Sequence, residues 1–483
     1  MENPVLASLE PRGVFRFFEE LTRIPHGSGN TAAASDWAVR FAGERGLRHR
    51  RDGLGNVIVW KDASPGYEDH PAVILQGHLD MVCVQEAGMD HDFEKDPLEL
   101  EIEDGWVQAR GTTLGGDNGI AVAMAMALMD DDSIPHPPIE AVFTVDEEIG
   151  LLGAAGLDCS DLKGRRLINL DSEDEGILTV SCAGGSRCDL QASFPTSRAS
   201  GIVCEVLVSG LPGGHSGAEI HQNYANANRL LAQCLTEVPD LRLISLYGGK
   251  QDNAIPNYAK ALFHLPREME SGDVSERIYK AFGAANAAYH TPDSAEPSCG
   301  VSFEYPRIFP ESLSVEDSRR VLELILAMPN GVQAMSGDIP GLVQTSLNLG
   351  IMRLKDGTLK LSSSVRSSVA AEKEALCRQL AELADRYGAD YSRRGDYPPW
   401  EYRKDSPLRD TMTRVYRQMA GKEMKVEAIH AGLECGLFAG KMGGLDAVSI
   451  GPDMRDIHST RERLSIASVQ RTWAYVKEVL RQL

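Results

Sequence analysis

Gln76-Gly77-His78-Leu79-Asp80 puts an imidazole and a carboxylate two residues apart at the end of a predicted strand, where they share a face. A metal-ligating histidine usually has its second ring nitrogen held by an acceptor, often a carboxylate, although the pair alone also fits a structural hydrogen-bonded histidine. Further on, Gly111-Thr112-Thr113-Leu114-Gly115-Gly116-Asp117-Asn118-Gly119 leads into an apolar helix with Asp117 near its N-cap. An ordinary cap needs less backbone freedom than these glycines and threonines give. Asp146-Glu147-Glu148-Ile149-Gly150 follows the strand IEAVFTV. Three acids in a row usually face solvent, but the C-terminal end of a strand is where open α/β sheets collect ligand-binding groups. Adjacent glutamates that diverge can supply one metal ligand and one general base. Asp171 ends the next strand, and His458 lies in the loop after LDAVSI. His78, Asp117, Glu148, Asp171 and His458 together offer two imidazoles and three carboxylates, a set suited to two zinc-like ions sharing one carboxylate.

The elements that must position these groups alternate over the first 180 or so residues. Helices are predicted over 14–22, 31–45 and 119–129, a short one near Leu151, and strands at NVIVWK, PAVILQG, 139–145 and 165–171. Such alternation predicts an α/β catalytic domain with a mixed, largely parallel sheet flanked by helices. From about Ser186 the pattern changes to two-sided strands such as GIVCEVLVSG, a helix over 218–236 and a strand over 259–264. A second set follows: a helix over 315–327, the strands VQTSLNLGIMRL and TLKLSSSVRSS, and a helix over 372–387. This reads as an α+β lid of two ferredoxin-like halves, with 291–297 as the connector. After Tyr397-Pro398-Pro399-Trp400 the α/β rhythm resumes through helices at 405–419 and 434–439 to a closing helix. The expected domains are 1–185 with 399–483 for the catalytic part and 186–398 for the lid.

The chain has 483 residues, 42% hydrophobic and 25% charged, enough for two or three packed units. With 49 Lys plus Arg against 70 Asp plus Glu, the formal net charge of -21 would repel nucleic acid and anionic membranes. Nine widely spaced cysteines without a C-x-x-C pair fit reduced thiols in a cytoplasmic protein. MENPVLASLEPRG lacks the features of a signal peptide, and the apolar run from Ile120 to Met129 is half the ~20 residues of a membrane span.

GHLDMV, GTTLGGDNG, DEEIG, NLDSE and the late IHS resemble, in order and spacing, the M20 metallopeptidases, and in detail their aminoacyl-histidine dipeptidase branch. The resemblance covers essentially the whole chain. It implies two divalent ions, zinc foremost with cobalt or manganese as alternatives, bridged by Asp117. His78 and Asp171 would complete one site, Glu148 and His458 the other. Glu147 would be the general base toward a metal-activated water, Asp80 would hold His78, and the Asp117-Asn118 peptide would be cis. An aspartate at position 171 goes, in the family, with aminopeptidase and dipeptidase activity. Within the lid, Pro212-Gly213-Gly214-His215-Ser216-Gly217 resembles the loop whose histidine stabilises an oxyanion. Asn253 and Arg366 would grip the peptide carboxylate or carbonyl. His430-Ala431-Gly432-Leu433-Glu434 resembles a substrate-floor loop whose Glu434 would pair with a free substrate ammonium.

The resemblance therefore implies hydrolysis of unblocked dipeptides, Xaa-His such as β-Ala-His among them, with lid closure excluding water. A tripeptide aminopeptidase or an N-acyl amino-acid deacylase would use the same centre, and a non-catalytic metal-binding regulator is the reading from another class. The expected partners are small peptides and a second copy of the chain, with no nucleic acid and no membrane.

Overall fold

Parallel strands form the middle of the first of two units into which the chain divides in the computed structural model, which describes residues 4–483. This unit takes the chain up to Cys182, then Tyr402–Ala428 and Leu433–Leu483; the second holds Ala183–Glu401 with Ile429–Gly432. The sheet of the first unit has eight strands, in the order Arg48–Arg51, Val57–Lys61, Ile139–Thr144, Val73–His78, Arg166–Asn169, Asp446–Ser449, Ile177–Cys182 and Lys425–Ile429. Val73–His78 pairs in parallel with Ile139–Thr144 on one side and Arg166–Asn169 on the other, and Arg166–Asn169 in parallel with Asp446–Ser449. Four strands pointing the same way send their following loops off one edge. Ile139–Thr144 and Val73–His78 are buried along their whole length, as expected of strands covered on both faces.

Helix Gly116–Asp130 is nearly all buried, packing on Arg12–Thr22 and on Val73–His78. Gly77 permits that approach: a Cβ there would stand 2.4 Å from Asn118 Oδ1 and 2.8 Å from Ala121 Cβ. A separate four-stranded sheet, ordered Met454–Arg455, Arg463–Ser465, Trp106–Ala109 and Leu100–Glu103, ties the segments on both sides of His458 to the strand that precedes Gly111. No helix among the described residues is long and apolar enough to cross a membrane.

The second unit is one nine-stranded sheet, eight strands of which form two interleaved β-α-β-β-α-β halves while the ninth, Gly331–Met335, pairs with Val343–Lys355, beside a short two-stranded pairing. Ile202–Ser209, Ala227–Thr236, Arg242–Gly248, Ala259–Leu265, Ser271–Asn286 and Ser298–Glu304 make the first half. Its strands lie in the spatial order fourth, first, third, second, the ferredoxin-like arrangement. Gly184–Ser193, Val315–Ala327, Val343–Lys355, Thr358–Ser367, Ala370–Tyr387 and Asp390–Tyr397 make the second half in the same order. The first half is thus inserted after the opening strand of the second, and the two join through antiparallel Arg242–Gly248 and Val343–Lys355. One apolar core, including Leu230, Leu231, Phe263, Val321, Leu347 and Leu380, unites both halves.

Two sequence expectations are corrected here. Residues 291–297 lie between helix Ser271–Asn286 and its strand Ser298–Glu304, inside the first half and not between halves. That helix buries only Val274 and Ile278, so its apolar stripe is too thin to announce itself. The helix expected over 218–236 begins only at Ala227, because the Asn226 side chain caps it by accepting from the Asn228 and Arg229 N–H groups.

Candidate metal centre

Because the central strands are parallel, His78, Glu148 and Asp171 leave the same edge of the sheet, and the loop after Asp446–Ser449 brings His458. Asp117 reaches them from the start of the buried helix, where Gly115 adopts a left-handed φ of 67° and Asp117 itself has non-helical φ and ψ. The N-cap is therefore Gly115, not Asp117, and the Asp117-Asn118 peptide is cis.

Asp117 stands between the two imidazoles. Its Oδ1 is 3.2 Å from His78 Nε2 and its Oδ2 is 3.2 Å from His458 Nε2. His78 Nε2 also lies 3.5 Å from Asp171 Oδ1, while His458 Nε2 lies 2.9 Å from Glu148 Oε1. Single ligand atoms of His78, Asp117 and Glu148 fall within 4.8 Å of one another. The five groups thus form two triplets sharing one carboxylate, each oxygen of Asp117 facing a different histidine.

Three carboxylates and two imidazoles set the electrostatics of the arrangement. Asp117, Glu148 and Asp171 have only histidines as ion-pair partners among the described residues. Burial works against protonating His78, yet the Asp171, Asp117 and Asp80 carboxylates hold it well above the usual imidazole range. Hydrogen bonds to Asp117 and Glu148 raise His458 to about 10. Burial pushes Asp171 up to about 6, and for Asp117 the same burial is outweighed by His458 and His78, which hold it below the usual carboxylate range. The same carboxylates that raise both imidazoles are donors suited to divalent ions.

Asp80 anchors four neighbours. His78 Nδ1 sits 3.0 Å from the Asp80 carbonyl and 3.5 Å from its carboxylate, so the closer hold on the ring comes from the backbone. The carboxylate instead accepts the N–H groups of Glu147 at 3.0 Å and Glu148 at 3.2 Å, and the Ser28 hydroxyl at 2.8 Å. Glu147 has no hydrogen bond to its carboxylate among the described residues, and burial, with the charges of Asp171, Glu434 and Glu148, raises it well above the carboxylate range despite His78.

Glu434 is not at a surface. It is fully buried, with Oε2 accepting from Gln76 Nε2 and from Thr144 Oγ1, the latter at 2.7 Å, and with Oε1 unpartnered. Gln76 is itself held by Asn169 at 2.6 Å.

The remaining sequence candidates belong to the second unit. His215 Nδ1 accepts the N–H groups of Gly217 at 3.3 Å and Ala218 at 3.1 Å. With Nδ1 accepting, the neutral ring carries its proton on Nε2, and burial followed by the Arg366 cation lowers its pKa. Asn253 accepts the Ser216 N–H through its carbonyl at 2.8 Å, and its loop is braced by Asn348, whose amide donates to the carbonyls of Asp252 and Ala254. Arg366, buried on Thr358–Ser367, donates to the Tyr397 hydroxyl at 3.2 Å and has its Nε unpartnered. His430 shares a 2.7 Å hydrogen bond with Ser346, and burial with the Arg366 charge lowers it to about 3.

Two buried groups escaped the sequence reading. Asn118 accepts the His78 N–H at 3.1 Å and donates to the Leu170 carbonyl at 2.9 Å, tying two ligand-bearing strand ends together. Glu462 accepts four backbone N–H groups from Leu114 to Asp117. The motif around Asn118 was visible, but nothing local marked the amide as a tie, and Glu462 carried no signal beyond following His458 by four residues.

Residues 74–482 match the model of peptidase family M20/M25/M40. The chain is 35% identical over 485 residues to the cytosol non-specific dipeptidase of Escherichia coli (strain K12), covering 99% of each. Among solved structures, the aminoacylhistidine dipeptidase of Vibrio alginolyticus superposes with a TM-score of 0.90 at 34% identity, over 99% of this chain and 98% of that one. The aminopeptidase PepT of Bacillus cereus, at 15% identity and a TM-score of 0.55 over 98% and 99% of the two chains, shares the fold.

Proposed function

Because the chain belongs to peptidase family M20/M25/M40, we propose that it is a metal-dependent dipeptidase acting on unblocked dipeptides, Xaa-His among them. The observation that supports this most is Asp117 with its two oxygens turned to two different histidines, each beside a further carboxylate. In this reading His78 and Asp171 would hold one divalent ion, Glu148 and His458 the other, and Asp117 would serve both. Zinc is the preferred metal for two imidazoles among carboxylates, with cobalt and manganese suited to the same donors. Two such ions, when bound, polarise a peptide carbonyl and acidify water at the site.

The protein's own groups do the rest. Glu147, with a carboxylate uncommitted to other hydrogen bonds, takes a proton from the attacking water and returns it to the leaving amine. Asp80 fixes the backbone of Glu147 and Glu148 and the ring of His78. His215, whose proton resides on Nε2, donates to the oxyanion that develops on the carbonyl. Arg366 and Asn253 grip the carboxylate or carbonyl of the dipeptide, His430 belongs to the substrate floor, and Glu434 pairs with the substrate ammonium. The catalytic domain, expected over 1–185 and 399–483, then corresponds to the first unit, and the lid, expected over 186–398, to the second. We place the enzyme in the cytoplasm, as two associated copies whose sedimentation mass should be twice that of the chain.

The test compares β-Ala-His, Ala-Ala-Ala and an N-acetyl amino acid as substrates for zinc-reconstituted and chelator-treated protein. Dipeptide cleavage that disappears with the metal and returns with it is expected. Selective cleavage of the acetylated compound, or cleavage indifferent to chelation, would overturn the reading.

A further inference from the structure

Glu462 is 3% exposed and makes no ion pair among the described residues, yet its carboxylate is fully employed. Oε2 accepts from Leu114 N at 2.8 Å and Gly115 N at 3.2 Å, and Oε1 from Gly116 N at 2.8 Å and Asp117 N at 3.3 Å. The last three belong to the N-cap and first turn, whose N–H groups a helix start leaves without intrahelical partners, and Leu114 lies just ahead of the cap. A nearby serine or aspartate normally satisfies one or two of them. Here a single side chain takes all four from 345 to 348 positions away along the chain.

The origin of that side chain matters more than the cap it makes. Glu462 follows His458 by four residues and directly precedes Arg463–Ser465, which pairs with Trp106–Ala109 ahead of the Gly111–Asp117 loop. The segment carrying His458 is thus fastened to the segment carrying Asp117 twice, once through the small sheet and once through Glu462 at the backbone of Asp117 itself. Resting on the reading that Asp117 and His458 are metal ligands, we propose that Glu462 is a positioning residue that sets the Asp117–His458 spacing before any ion arrives. It touches neither substrate nor ion. It acts by holding the shared carboxylate opposite its second histidine, 3.2 Å away.

Glu462→Gln tests this with little change of volume. One end of the amide still accepts two N–H groups, while its NH2 end confronts the other two donors. Zinc binding by calorimetry with a competing chelator is expected to weaken about 10- to 100-fold, the range found when groups that orient metal ligands are lost. The gap in melting temperature between zinc-loaded and zinc-free protein should shrink accordingly. If the variant lowers both melting temperatures equally and keeps wild-type zinc affinity, Glu462 only supports the fold and the proposal is overturned.

Should the variant not fold, hydrogen exchange on the wild-type protein decides. The amides of 114–117 must already be protected without zinc, and fast exchange there would sink the idea. Wild-type protein that takes up zinc but cleaves no dipeptide would refute the proposed function and leave this inference standing, whereas failure to bind any divalent ion would overturn the inference itself.

Discussion

Glu434→Gln should make the metal-free protein more stable above pH 7 and at the same time a poorer dipeptidase. The wild-type side chain is 0% exposed, with Gln76 and Thr144 donating to one carboxylate oxygen and nothing donating to the other. Burial, which the charges of Asp171 and Asp80 reinforce, raises its pKa from 4.5 to about 7. A folded-state value above the unfolded one means that folding takes up a proton between these limits. Below about pH 4.5 the group costs nothing, since it is protonated in both states; above about pH 7 the cost of enclosing its charge is complete. At about 1.4 kcal/mol for each pH unit, this cost is on the order of 3 kcal/mol. Glutamine has no charge to enclose and its amide oxygen can still accept from Gln76 and Thr144. Urea unfolding in chelator should therefore show the two proteins nearly alike at pH 4.5 and the variant ahead by up to about 3 kcal/mol at pH 8. Zinc should narrow that gap, because nearby cations favour the carboxylate of the wild type. The activity side has the opposite sign: losing a charged hydrogen bond to a substrate ammonium costs roughly 1.5–3 kcal/mol, or about 10- to 100-fold in kcat/KM. A stability gap that does not grow from pH 4.5 to 8 would refute the burial argument, and an unchanged kcat/KM would remove Glu434 from substrate binding.

Other consequences are more direct. Glu147→Gln should retain zinc by calorimetry and lose roughly 10²- to 10⁴-fold in kcat, the usual contribution of a positioned base; turnover like that of the wild type would exclude it from the mechanism. His215→Ala should lower kcat by roughly 10²- to 10³-fold with little change in KM, as for loss of an oxyanion donor. Since burial and then Arg366 lower the pKa of His215, its neutral form persists to lower pH than that of an ordinary imidazole, so any acid limb of the wild-type rate that His215→Ala abolishes should lie below the ordinary imidazole range; such a limb within that range would refute the assignment.

What could be read from the sequence and what could not follow from how far each feature reaches along the chain. His78, Glu148 and Asp171 were legible because each lies at or within three residues of the end of a run of buried residues, and a parallel sheet converts that local pattern into one shared edge. The Asp117 loop was legible through its glycines, one of which, Gly115, does take a left-handed φ of 67°. The groups that hold these ligands in place leave no such trace. Glu462 sits 345 residues from the Asp117 amide it binds, in a stretch of alternating charges, Arg461-Glu462-Arg463, that reads as solvent-facing. The two halves of the second unit were legible, but the boundary between them was misplaced for a related reason: the first is inserted into the second, so strands adjacent in the sheet, such as Gly184–Ser193 and Thr358–Ser367, are separated by an entire β-α-β-β-α-β unit. Ligands are written locally because strand ends create them, whereas the distances between ligands depend on buried carboxylates and amides whose partners only the folded chain supplies. It follows that substitutions at Asn118 and Glu462, where the sequence shows no chemistry, should disturb metal binding more than substitutions at Asp146 or Glu173, where acidic neighbours suggest it.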